Sequence, residues 1–152
     1  MLELFGTPFE LSLRILILLD VHGETPISLN RLTNLDFCCI HGGSCNVAIN
    51  NLHGHMFNIY GELAANHAKM KEAISYLTLI GYARLTFSNS GFHYLITDEG
   101  HQFIHSLNDR YYYAYHEIAG IVKMEYGALS DDKLSEKIYA FSEHSLKGVN
   151  NG

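Results

Sequence analysis

The chain has 152 residues, of which 47% are hydrophobic and 17% charged, and its formal net charge is -6 at pH 7. This length fits one domain with a short extension. The composition is too apolar and too weakly charged for a disordered segment. The negative charge argues against a protein that coats nucleic acid without sequence preference, because phosphate contacts need a surplus of Lys and Arg.

The cysteines and the apolar runs indicate the compartment. Cys38, Cys39 and Cys45 are odd in number and two of them are adjacent, which is not the pattern of a secreted disulfide framework. The first residues carry no basic stretch of the kind that opens a signal peptide. The longest apolar run, Ile15 to Leu19, is far shorter than the about 20 residues of a membrane span. We therefore expect a cytoplasmic protein with no membrane partner.

The first two predicted helices begin at well-defined caps. Thr7 is placed as the N-cap of the first helix, with Pro8 at the first helical position and Glu10 closing a capping box. The residues from Leu11 to Val21 are nearly all apolar, which indicates a core helix covered on most sides. Ser28 caps the second helix, whose apolar positions form one stripe: Leu29, Leu32, Leu35 and Ile40.

A central segment, residues 41–60, precedes the third helix. It is rich in Gly, Asn and His and sustains no period, so we predict an irregular loop. A loop of this length exceeds most connections and is typical of a functional segment. The helical period returns at Glu62 and ends at Gly81, and one face of this third helix carries Leu63, His67, Met70, Ile74 and Leu77.

A hairpin follows the third helix. Tyr82 to Phe87 and Phe92 to Ile96 are strand-like runs separated by a turn-forming cluster, and Thr97 caps another helix. The order helix, helix, helix, hairpin, helix predicts a winged helix-turn-helix domain over residues 1–107. The fold class is therefore mainly α with a small β-hairpin.

The residues after this domain are also helical in pattern. One amphipathic run starts at Tyr111, and a second starts at Ser130. They predict a C-terminal helical extension over residues 108–147, followed by a flexible tail at 148–152.

The third helix is the element that would contact DNA, because in helix-turn-helix proteins it enters the major groove. The weak candidate DNA contacts are Arg31, Lys69, Lys71 and Arg84. Glu62 and Glu72 lie on the same helix as the two lysines, and that helix has no Arg to contact guanine in bidentate fashion. The sequence favours a solvated or protein-facing surface, with DNA contact as the alternative.

Possible metal ligands occur in two places. The first group is Cys38, Cys39, His41, Cys45, His53 and His55. Zinc prefers such side chains, but no CxxC pair is present and adjacent cysteines rarely serve one tetrahedral site. His101 and His105 are four apart on a predicted helix and could chelate a metal, although one buried and one exposed histidine is the favoured interpretation. We expect no bound metal.

Catalytic motifs are missing from the sequence. The pair His101 and His105 lacks the general base of an HExxH motif, and no P-loop, GxSxG or paired-carboxylate motif occurs. We predict a protein that binds other macromolecules, with no catalytic residue and no cofactor.

The C-terminal helices supply the candidate protein interface. The tyrosine cluster at 111–115 could stack nucleic-acid bases, but few cations surround it, which favours a helix interface. One small core does not obviously cover the apolar faces of both helices, and uncovered apolar surface marks interfaces. The candidates are Tyr111, Tyr115, Ile118, Val122, Leu134, Ile138 and Phe141.

Several short motifs in a fixed order resemble a known family. They are Phe5-Gly6-Thr7-Pro8-Phe9-Glu10, the helix Leu13 to Asp20, Leu32 to Asp36, His41, Leu52-His53, Gly61-Glu62-Leu63 and Gly81-Tyr82. Together they resemble the middle component of bacterial ABC-three-component systems of the Lamassu type, which defend against phage and plasmids. The resemblance runs from about Leu4 to about Leu107. It departs at Asn46 to Tyr60, which lacks the proline-rich sequence associated with this part of the family.

The resemblance implies a small non-catalytic adaptor. Such a subunit joins a large SMC-like ABC ATPase with long coiled coils to an effector, commonly a nuclease, and meets DNA through the complex. A winged-helix transcription regulator that dimerises through its C-terminal helices is the alternative. The weakly basic surface of this chain counts against the regulator alternative.

Overall fold

The computed structural model describes residues 7–41 and 59–150; for residues 59–60 and 141–150 it describes the backbone alone. Within these ranges the chain forms six α-helices and one two-stranded antiparallel hairpin. The elements are α1 (Pro8–His22), α2 (Leu29–Ile40), α3 (Ile59–Leu79), β1 (Ala83–Ser88), β2 (Gly91–Ile96), α4 (Asp98–His105), α5 (Arg110–Tyr126) and α6 (Asp131–Asn150). The predicted mainly α fold with a hairpin is confirmed, and the winged-helix classification stays a prediction.

The predicted N-caps are present. The Oγ1 of Thr7 accepts a hydrogen bond from the Glu10 amide at 3.2 Å, and the Oγ of Ser28 accepts one from the Arg31 amide at 3.1 Å. Thr97 caps α4 in the same way. These bonds satisfy amide groups that have no partner within the first helical turn. Local sequence alone therefore positions the starts of three helices.

Two boundaries differ from the sequence-based prediction. The helix α3 begins at Ile59, so residues 59–60 are helical and not part of an irregular loop. Residues 42–58, which make up the rest of that predicted loop, lie outside the described residues. The helix α6 continues to Asn150, so residues 148–150 are helical where the sequence predicts a flexible tail.

The helix α1 lies at the centre of the described structure. It contacts α2, α3, α4, α5 and the strand β2. Its residues Ile15 to Leu19 are each at most 1% exposed. A helix covered on this many sides needs apolar residues around its whole circumference, which is what the run from Leu11 to Val21 supplies. The prediction of a core helix is confirmed.

The hairpin is attached to the helices by backbone contacts. Tyr94 of β2 exchanges two hydrogen bonds with Ile27, which precedes α2. At the other end, Gly100 of α4 lies so close to the Tyr82 carbonyl oxygen that a Cβ atom would overlap it. Both contacts fix the base of the hairpin and leave its turn, at Ser88 to Gly91, projecting outward.

The two C-terminal helices share the core of the preceding elements. Tyr115, Ala119 and Val122 of α5 and Leu134 and Ile138 of α6 are each 0% exposed. The helix α5 packs on α1 and α2, while α6 packs on α2. No helix in the described ranges combines the length and apolar composition that a membrane span requires.

Candidate functional site

The predicted interface residues of the C-terminal helices lie mostly in the core. Tyr115, Val122, Leu134 and Ile138 are fully buried within the chain, so they are not surface anchors and this prediction is corrected. The reason is that α1 and α2 cover the faces that carry them. The other candidates differ: Tyr111 and Ile118 are partly buried against the core, and the side chain of Phe141 lies outside the described residues.

A charged network lies in the same core. The guanidinium of Arg14 on α1 donates from Nε to Asp36 Oδ1 at 2.9 Å and from Nη2 to Asp36 Oδ2 at 3.1 Å. Its Nη1 donates to Glu10 Oε1 at 2.8 Å. The hydroxyl groups of Tyr115 and Tyr111 donate to Asp36 and to Glu10, respectively. Arg14, Glu10 and Asp36 are at most 4% exposed, so the charged groups that link α1, α2 and α5 are shielded from solvent.

The protonation states of this network follow from its geometry. Burial lowers the pKa of Arg14, but the attraction of Asp36 and the neighbouring groups outweighs burial and raises it. Burial raises the pKa of Tyr115, and the nearby Asp36 carboxylate raises it further. Arg14 therefore stays charged and Tyr115 stays a hydrogen-bond donor. The network therefore fixes α1, α2 and α5 relative to one another.

The Glu10 carboxylate has partners that the sequence does not predict. Beside the capping box, which stays a prediction, it accepts hydrogen bonds from Arg14 and Tyr111. Its backbone amide still donates to Thr7. A buried guanidinium one helical turn away is a strong partner for a carboxylate.

Arg31, a predicted DNA contact, is bound within the chain. Its guanidinium donates to Asp131 Oδ1 at 2.9 Å and to the backbone oxygens of Tyr126, Gly127 and Leu129. Burial raises the pKa of Asp131, but hydrogen bonds from Ser28 and Arg31 outweigh burial and lower it. Arg31 thus donates hydrogen bonds to carbonyl oxygens at and after the end of α5 and to the Asp131 carboxylate at the start of α6. Its assignment as a DNA contact is therefore corrected.

Three of the predicted DNA contacts are exposed. Lys69 and Lys71 lie on α3 and Arg84 lies on β1. If all three contact phosphates, binding to duplex DNA should weaken with salt with a logarithmic slope of about -3, since each contact contributes about -0.9. We expect weak binding without sequence preference. Fluorescence anisotropy of unrelated duplexes over a salt series checks this, and nanomolar affinity for one sequence would contradict it.

An apolar groove lies between α1, α3 and α4. Its volume is about 830 Å³, and its lining includes Phe9, Tyr76, Ile80, Tyr82 and Phe103. The rings of Tyr82 and Phe103 stack with centroids 5.0 Å apart. Phe9 and Tyr76 are 52% and 56% exposed. Large aromatic side chains that are half exposed around a concave surface are typical of a binding site.

A second apolar surface lies at the tip of the hairpin. Phe87 and Phe92 are 74% and 60% exposed and their ring centroids are 5.1 Å apart. They occupy opposite positions on β1 and β2. The sequence predicts both only as strand residues, because alternation along a strand does not show which elements cover its faces.

The predicted metal ligands fall into two groups. Cys38 and Cys39 are buried and His41 contacts Glu62, whereas Cys45, His53 and His55 lie outside the described residues. His101 and His105 are both exposed, which corrects the prediction that one is buried. Their Nδ1 and Nε2 atoms lie 2.6 Å and 2.8 Å from the two carboxylate oxygens of Asp20. These three side chains form the Asp20 cluster.

These features define a small, mainly helical protein whose exposed aromatic surfaces suit contact with other molecules. The family model described as ABC-three component (ABC-3C) system Middle Component 2 matches residues 4–148. The match covers nearly the whole chain, so the chain belongs to this family. Searches of curated proteins and of solved structures gave no match.

Family membership confirms part of the sequence-based prediction. The chain is a middle component of an ABC-three-component system, and by family role the middle component is a non-catalytic subunit. This role suggests an adaptor within a system of several components.

Proposed function

We propose that the chain is the adaptor that joins an SMC-like coiled-coil ABC ATPase to a nuclease effector in a Lamassu-type bacterial defence complex against phage or plasmid DNA. The observation that carries the proposal is the family match over residues 4–148. An adaptor needs surfaces for its partners and no active site. The groove and the hairpin tip meet the first need, and the charged groups of the network around Arg14 are buried.

The groove is assigned to the ATPase. A concave apolar surface lined by large side chains accepts the apolar face of an amphipathic helix. Long coiled coils consist of such helices, so the ATPase is the component with suitable segments. Tyr76 on α3 and Ile80, the residue directly after α3, are four positions apart and both line the groove. Lys69 and Glu72 also line it and offer both signs of charge for orienting a partner.

The hairpin tip is assigned to the effector. Phe87 is five residues beyond Tyr82, which lines the groove, so the extended strand carries the tip about 16 Å away from it. The tip and the groove are therefore treated as two separate surfaces. Each contact of ordinary size buries about 800 Å² per partner, and a few aromatic anchors dominate its affinity.

The double substitution Tyr76→Asp with Ile80→Asp should remove the ATPase from the complex. Loss of one central anchor costs at least about 2 kcal/mol, or about 30-fold in affinity, and a charge placed in the groove adds a desolvation cost. The measurement is co-purification of the three components encoded together, along with protection of cells against phage. The effector should remain bound to the substituted chain.

Leu79 provides a matched control. It lies on α3 between the two substituted positions, is 84% exposed and does not line the groove. Leu79→Asp should therefore leave the ATPase bound, and circular dichroism should show native helix content in both proteins. Normal assembly by a folded Tyr76→Asp, Ile80→Asp chain would show that the ATPase binds elsewhere. Failure of the wild-type chain to join any ATPase would refute the adaptor proposal.

A further inference from the structure

The Asp20 cluster brings three metal-binding side chains together from two helices. His101 and His105 lie one turn apart on α4, and Asp20 lies near the end of α1. Their ligand atoms all lie within 4.8 Å of one another. We propose that Asp20, His101 and His105 bind one divalent transition-metal ion, with zinc as the expected metal.

The donor set suits zinc. Imidazole nitrogen and carboxylate oxygen are both common zinc ligands, and histidines four residues apart on a helix project from one face. In a tetrahedral site with bonds of about 2.0–2.1 Å, ligand atoms lie about 3.3 Å apart. The two nitrogen to oxygen distances of 2.6 Å and 2.8 Å are slightly shorter. A small rotation of the histidine side chains opens enough space for the ion.

The surroundings favour an ion with an open coordination position. The side chain of Asp20 is 8% exposed, whereas those of His101 and His105 are 55% and 47% exposed. The carboxylate is therefore held by the core helix α1, and the two imidazoles face solvent. Three protein ligands leave the fourth position for water or for a group on a partner. The ion would connect α4, which follows the hairpin, to the central helix.

The two imidazole groups converge on one carboxylate, which distinguishes this cluster from ordinary surface histidines. The ring centroids of His101 and His105 are 4.1 Å apart, and each ring directs a nitrogen at a different oxygen of Asp20. In the absence of an ion the same geometry is a pair of hydrogen bonds. The test must therefore separate metal binding from hydrogen bonding.

Glutamine substitutions make this separation. His101→Gln with His105→Gln keeps amide groups that can donate to Asp20 but removes both imidazole ligands. The chelator-treated chain is titrated with Zn²⁺ by calorimetry, and its thermal midpoint is measured with and without the metal. We expect one Zn²⁺ per wild-type chain and a higher Tm, because an ion that binds only the folded state stabilises it. The double variant should bind at least about tenfold more weakly.

Two controls address the other possible ligands. His67→Gln removes a histidine that contacts Thr33, outside the Asp20 cluster, and should leave zinc affinity unchanged. Zinc that remains bound with full affinity in the double variant, or is lost on Cys45→Ser, would place the ion in the central segment and overturn the proposal. Absence of stoichiometric zinc in the folded wild-type chain would overturn it as well. None of these readouts depends on assembly with an ATPase.

Discussion

Replacing Arg14 by methionine should lower the free energy of unfolding by about 3–5 kcal/mol, the usual cost of breaking a buried ion pair. Arg14 compensates Asp36 and Glu10, which are 0% and 3% exposed. Without the guanidinium, two carboxylates that accept hydrogen bonds from tyrosine hydroxyls remain in a low-dielectric core without its compensating charge. Urea denaturation followed by circular dichroism measures the loss.

Two further variants show whether the loss comes from uncompensated charge. Arg84→Met changes an exposed arginine and should shift stability by no more than about 0.5 kcal/mol. Arg14→Met combined with Asp36→Leu and Glu10→Leu removes all three charges, and replacing a whole buried network by apolar residues is often neutral. The triple variant should therefore be more stable than Arg14→Met alone. If Arg14→Met costs less than about 1 kcal/mol, the network is not desolvated as described.

The sequence predicts features that depend on neighbouring residues. Thr7, Ser28 and Thr97 are recognised as caps because each lies three residues before the amide that it binds. The central position of α1 follows from the nearly continuous apolar run between Leu11 and Val21, which only Ser12, Arg14 and Asp20 interrupt. Nothing outside these segments is needed for either prediction.

Features that join distant segments could not be predicted in this way. Arg31 contacts Asp131, 100 residues further along the chain, and His101 contacts Asp20 at a separation of 81 residues. Periodicity identifies an apolar face but not the element that covers it. One signal was available: Arg14 lies within an apolar helix, and a charge in that position is buried only with a partner. That signal predicts an acidic partner and does not identify Asp36.

The same limitation explains which surfaces were assigned to partners. The sequence assigns the interface to faces of α5 and α6 that α1 and α2 cover in the structure. Exposed apolar residues lie at Phe9, Tyr76 and Phe87, on elements for which the sequence predicts the domain interior or DNA contact, and on other faces of α5 and α6, at Met124 and Tyr139. The covered faces therefore determine stability, and the exposed ones are the candidates for assembly.

Replacing Ile138 by alanine should destabilise the fold by about 2–5 kcal/mol, the usual range for removing a buried isoleucine side chain. Ile138 on α6 is 0% exposed, and the truncation leaves a cavity in the core that α6 shares with α2. If Ile138 instead anchored a partner, the isolated chain would keep its stability and lose only assembly. The two roles thus predict opposite results for the chain measured alone.

Tyr139 is the matched control, because it is the next residue on α6 and is 50% exposed. Tyr139→Ala should change stability much less than Ile138→Ala, since a side chain already half in water loses less burial on truncation. Urea denaturation of both variants without any partner measures the difference. An Ile138→Ala chain as stable as Tyr139→Ala would show that α6 does not pack as described, and Ile138 would again be a candidate anchor. A clear loss for Ile138→Ala alone would leave the groove and the hairpin tip as the surfaces to test for assembly.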